Sequence, residues 1–174
     1  KRSTYKGCAN LLPLFHLPSL QDLRLDGLTT RWTWKVVTML VDEDLRHLQI
    51  LQLGTDGRGF LLCCDMWVLK MMEILIIKAT ALISLCLPGL NLSPCAFANF
   101  GMMLAKLPQL EHVGLPFLEM PESDWSLFIS SLQGKPYLVI NGWWSDCAWT
   151  KLKAKFPRGP TNPILCNAKC SSPR

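Results

Sequence analysis

The chain has 174 residues, a length that suits one domain with a sizeable buried core. Apolar residues make up 49% and charged residues 18%, which excludes disorder as a description of the whole chain. The net charge of +5 comes partly from the two ends, where it reads as solvation of an apolar body rather than as a phosphate-tracking surface, so no nucleic-acid partner is expected.

The organising signal is a recurring Leu-x-x-Leu-x-Leu phrase, at Leu20-Leu23-Leu25, Leu48-Leu51-Leu53 and Leu110-Val113-Leu115, each followed by a helix-like stretch. The first unit begins at Leu17-Pro18-Ser19-Leu20, and Leu23 and Leu25 alternate as a strand with one buried face requires. Asp26-Gly27 turns the chain, Thr29 or Thr30 caps, and Trp32, Val36, Val37 and Leu40 recur at near-helical spacing. The second unit starts 28 positions later, at Leu48, and continues through a Thr55-Asp56-Gly57 turn into a helix within 59–71.

The third strand is expected at Glu73 to Ile77, where Met72-Leu75-Ile77 fits the phrase with Met in its first slot. The stretch that follows, near 79–92, then becomes an irregular or inserted segment. Leu82-Leu85-Leu87 and Leu87-Leu90-Leu92 match as well, and Leu82 lies 28 positions before Leu110. The residues alone leave these placements open.

Ser93 followed by Pro94 predicts a helix start, with Phe97, Phe100, Met103 and Leu104 on its apolar face and Pro108 just past its end at Lys106. The strand Leu110 to Leu115 follows. Pro121-Glu122-Ser123-Asp124 opens a helix through Leu132 that buries Trp125, Phe128, Ile129 and Leu132 and stops at Gly134. Tyr137 to Ile140 reads as a strand ended by the Asn141-Gly142 turn pair. Ser145 or Asp146 caps a last helix that buries Trp149, Leu152 and Phe156. After Pro157 the composition shifts to Pro, Gly, Asn and Ser, so the domain is placed at 1–157 and a tail at 158–174.

About five such βα units resemble a leucine-rich repeat of the long, ribonuclease-inhibitor-like type, whose repeats run to about 28 residues. The run Trp149 to Pro157 is similar to the final helix of such arrays. Leu11-Leu12-Pro13-Leu14-Phe15-His16-Leu17-Pro18-Ser19-Leu20 and Met103-Leu104-Ala105-Lys106-Leu107-Pro108-Gln109-Leu110-Glu111-His112 resemble the degenerate repeats of fungal F-box-associated proteins. The resemblance covers 11–157 and implies an α/β solenoid with a parallel sheet on its concave side. In the aligned units the family's Asn or Cys after the second strand leucine is replaced by Leu28, Asp56, Leu118 and Trp143, and no Leu-Pro-x-Glu motif marks an F-box helix.

In such a solenoid the strand residues between the buried leucines point to the concave side, because side chains alternate across a strand. The expected partner-binding set is therefore Asp22, Arg24, Asp26, Gln49, Gln52, Lys78, His112, Tyr137 and Asn141, with Glu73 and Glu111 beside them. One ring of the adjacent pair Trp143-Trp144 must face solvent on an extended segment, which adds Trp144. The partner is a protein whose identity the residues do not name. The F-box resemblance implies that it is a substrate selected for ubiquitin ligation.

Catalysis is not expected. His16, His47 and His112 stand alone, and no His-Glu-x-x-His, Gly-x-Ser-x-Gly or phosphate-binding glycine loop occurs. No metal or other cofactor is expected either: Cys166-x-x-x-Cys170 with Cys147 lacks a fourth ligand, and no Cys-x-x-Cys pair is present. The 8 cysteines are scattered, which favours reduced thiols and a cytoplasmic or nuclear location. A start at Lys1 rather than Met, without an apolar leader, suggests a fragment or a processed product. The alternative reading is a membrane-associated fragment using the apolar 60–105 region, where 79–105 carries no charge; Pro88, Gly89, Asn91, Pro94 and Asn99 interrupt it, so no spanning helix is expected.

Overall fold

The computed structural model describes residues 2–6, 19–28, 30–55, 65–88, 90–117, 120–143, 146–157 and 162–167. Within them seven strands form one sheet in chain order: β1 (Arg2–Lys6), β2 (Asp22–Leu28), β3 (Ile50–Thr55), β4 (Ser84–Cys86), β5 (His112–Phe117), β6 (Val139–Trp143) and β7 (Ile164–Asn167). Every neighbouring pair is parallel. Five helices connect β2 through β7: α1 (Thr30–Asp42), α2 (Asp65–Lys78), α3 (Pro94–Ala105), α4 (Glu122–Ser131) and α5 (Asp146–Lys155). Consecutive helices touch each other, so they form a second layer beside the sheet. The result is an α/β chain with a solenoid-like βα order.

The aliphatic phrases explain this arrangement. Leu20, Leu23 and Leu25, then Leu48, Leu51 and Leu53, then Leu110, Val113 and Leu115 are all buried, on one face of the sheet. Register places Leu23 beside Leu51, Leu51 beside Leu85, Leu85 beside Val113 and Val113 beside Ile140. One strand alone could bury only half of each side chain. Stacked units enclose them against the helices and remove them from water, at roughly 25 cal/mol per Å² of apolar surface.

The third unit settles in the middle of its three possible registers, Leu82-Leu85-Leu87. Glu73 to Ile77 lies inside α2, where Val68, Met71, Met72 and Leu75 recur at helical spacing and are all buried, while Ile77 is 75% exposed. The strand is β4, and Leu82, Leu85, Leu87 and Leu90 are buried in its unit. A continuous apolar run satisfied both templates, and burial on a helical face decided between them. The segment 79–92 thus holds β4, the strand of the third unit.

The remaining helices follow their signals closely. Ser93 caps α3, its hydroxyl accepting from the Ala96 N–H at 3.4 Å with Pro94 in the first turn, and α4 is followed by Gly134 at φ 92°, a left-handed position suited to glycine. Between α3 and α4 an aromatic cluster fills the core: Phe97 stacks on Phe128 at 4.4 Å and meets the Trp125 edge at 4.8 Å. Two expectations at the C-terminal end change. β6 begins at Val139 and runs through Asn141 and Gly142, which pair with Cys166 and Asn167 instead of forming a turn. The region expected to be a tail supplies β7 and continues the sheet.

At the rim where the strands begin, backbone carbonyls tie each unit to the next. Gln21 O accepts from Gln49 N at 2.8 Å and Ile50 N at 3.0 Å; Gln49 O accepts from Ile83 N and Ser84 N, and Ile83 O from Glu111 N and His112 N. The pattern then breaks. Glu111 O accepts from Val139 N at 2.7 Å, while Leu138 N turns back to Lys135 O at 3.1 Å. Earlier units read Leu-x-x-Leu or Leu-x-x-Val at this point, and the β6 unit reads Leu138-Val139-Ile140, one residue shorter.

The uncharged stretch 79–105 is divided among β4, a loop and α3, where Phe97, Phe100 and Leu104 are fully buried. Among the described residues no helix is long and apolar enough to cross a membrane.

Candidate interaction surface

The helices cover one face of the sheet, and the side chains that alternate with the buried leucines form the other. Strand register arranges them in two rows. The first runs Asp22, Ile50, Ser84, His112, Val139 and Ile164 across β2 to β7. The second runs Arg24, Gln52, Cys86, Gly114, Asn141 and Cys166. With strands about 4.8 Å apart, each row crosses roughly 24 Å of sheet.

Five of the expected contact residues, Asp22, Arg24, Gln52, His112 and Asn141, lie in these rows. At the β2 end Arg24 Nε donates to Asp22 Oδ1 at 2.9 Å, which holds the guanidinium and the carboxylate along one strand. Their side chains are 29% and 13% exposed respectively, so the pair is partly withdrawn from water. His112 and Asn141 are exposed further along. The middle of the face carries small side chains. A Cβ built on Gly114 would meet Cys86 Sγ at 2.7 Å, so the Cys86 side chain occupies the space that glycine leaves.

The other expected residues stand elsewhere. Gln49 is exposed on the rim just before β3, and Tyr137, 83% exposed, lies in the turn before β6. Glu73 and Lys78 belong to α2 on the helical side. The Lys78 ammonium donates to Val41 O and, at 3.2 Å, to Glu43 O, satisfying carbonyls at the C-terminus of α1. Its role is to join helices, which explains a charged residue next to a buried apolar stripe. Asp26 is in β2, but its side chain, like all of Trp144, lies outside the described residues; the side chain of Cys147 and all of Cys170 in the cysteine group fall there too.

Ile50, Ser84, Cys86, Gly114, Val139, Ile164 and Cys166 also belong to the face. A polarity filter overlooks the apolar members, and Ser84 and Cys86 become visible only once Leu82-Leu85-Leu87 is chosen as the third phrase. Among the described residues no group of three or more His, Cys, Asp and Glu side chains is placed to hold a metal ion.

Beside the rim break between β5 and β6 lies a cavity of about 520 Å³, lined by Pro108, Gln109, Leu110, Glu111, Gly134, Lys135, Pro136, Tyr137 and Leu138. Lys135 donates from its ammonium to Leu107 O, and partial burial pushes its pKa down from the usual lysine value. Comparisons with family models, with curated proteins and with solved structures each give no match.

Proposed function

We propose that this chain is a leucine-rich-repeat module that binds another protein through the open face of its sheet. The observation that carries this reading is the register: it sets Asp22, Arg24, Gln52, His112 and Asn141 on one face while the buried leucines face the helices. A face of this breadth offers hydrogen-bonding groups in fixed rows, which favours specific recognition at little ordering cost. The resemblance to F-box-associated repeats extends the proposal: the captured protein is a substrate presented for ubiquitin ligation, a step that rests on analogy alone.

Site-specific photocrosslinking tests the docking face. A crosslinking amino acid in place of Gln52 or Asn141 is expected to trap a discrete protein from a native extract, and the same group in place of Lys70 on α2 is expected to trap none. Identical products from both sides, or none from the sheet side, would count against the reading. For the ubiquitin step, depletion of this chain from cells should lengthen the lifetime of the trapped protein; an unchanged lifetime removes that step and leaves the docking face standing.

A further inference from the structure

We propose that the rim groove between β5 and β6 receives an arginine side chain from an extended segment of a partner protein. At the groove the rim phrase Leu138-Val139-Ile140 is one residue shorter than the Leu-x-x-Leu and Leu-x-x-Val phrases before it, and the paired N–H bonds onto a rim carbonyl stop at Glu111. The rim break at Glu111 lies beside a cavity of about 520 Å³, which makes it a natural place for a ligand.

The chemistry of the walls selects the occupant. Pro108 and Pro136 supply apolar surface, and the Tyr137 ring stands 83% exposed beside them. Glu111 is exposed and makes no ion pair among the described residues. An arginine matches all three: its methylene stem covers proline, its planar guanidinium lies over the phenol ring, and its paired N–H donors fit a carboxylate. Lys135 is the other charged group at the groove and opposes a cation. Its ammonium is drawn to Leu107 O, one residue before Pro108, so its donors serve the backbone. This assignment concerns the rim and does not depend on the open face.

The probe is the tripeptide acetyl-Gly-Arg-Gly-amide, followed by amide chemical shifts of the whole chain. Shifts at Gly134, Tyr137 and Leu138 should move and saturate, and the citrulline analogue, equal in shape but uncharged, should bind at least tenfold more weakly. Glu111→Gln should erase that preference, Tyr137→Ala should weaken binding several-fold, and Lys135→Met should tighten it. Glu111 and Tyr137 are exposed, and the same spectra report whether each variant is folded. Equal binding of the arginine and citrulline peptides, a preference that survives Glu111→Gln, or no shift change at millimolar peptide overturns the proposal.

Discussion

Asp65, the first residue of α2, clasps the cap of the next helix: its Oδ1 accepts from the Ser93 N–H at 3.0 Å, and its Oδ2 accepts from the Ser93 hydroxyl. The two residues are 28 positions apart, one repeat of the chain. Ser93 in turn accepts from Ala96 N at 3.4 Å, so a single carboxylate orients the cap that starts α3.

Removal of that carboxylate should therefore act on two helices. Asp65→Ala is expected to lower stability by about 1–2 kcal/mol, and Ser93→Ala by a similar amount. The double variant should cost less than the sum, because both changes break the same contacts. Urea midpoints measure this, and strict additivity would show that the two residues act independently.

The third unit offers a direct contrast between two registers. Leu85 is fully buried and Leu85→Ala should cost about 2–5 kcal/mol, whereas Ile77→Ala, at a residue 75% exposed, should stay within about 0.5 kcal/mol. Chemical denaturation of both variants decides it. A larger loss at Ile77 would restore the strand at Glu73 to Ile77.

Gly101 of α3 packs directly against α4. A Cβ there would lie 2.3 Å from Ser131 Oγ and 3.2 Å from Phe128 O. Glycine to alanine ordinarily stabilises a helix interior by about 1 kcal/mol. Here Gly101→Ala should instead destabilise by about 1–3 kcal/mol through overpacking. Adding Ser131→Ala removes the nearest atom and should recover part of the loss, as read from melting temperatures.

Asp44 provides the pH prediction. Its hydrogen bonds from Arg46, 2.6 Å at the shortest, hold its carboxyl at about 2, below the ordinary 3.8. A depressed carboxylate pKa means that the pair's contribution is complete above pH 3.8 and is lost as pH falls through about 2. NMR titration should find this low value, and Arg46→Gln should return it toward 3.8. A titration near 3.8 in the unaltered chain would contradict the pairing.

Much of this architecture was legible in the residues. The Leu-x-x-Leu-x-Leu phrases located β2, β3 and β5, because a strand with one buried face must alternate, and Ser93-Pro94 located α3, because a cap and a first-turn proline have few other uses. The same alternation named Asp22, Arg24, Gln52, His112 and Asn141 as neighbours on one face. Lys78 and Tyr137 escaped this logic. The first belongs to a helix whose apolar run imitates a strand, and the second precedes a strand that starts two residues later than its β-rich composition suggests.

By itself, then, the sequence determined which side chains must leave water and with what period, and this was enough for parallel strands alternating with helices. Only the tertiary structure decided the register of the third unit, the docking of β7 beside β6, and the groove beside Glu111. Each of these depends on contacts between residues about 25 or more positions apart, and a local pattern carries no record of which distant backbone will supply the matching hydrogen bond.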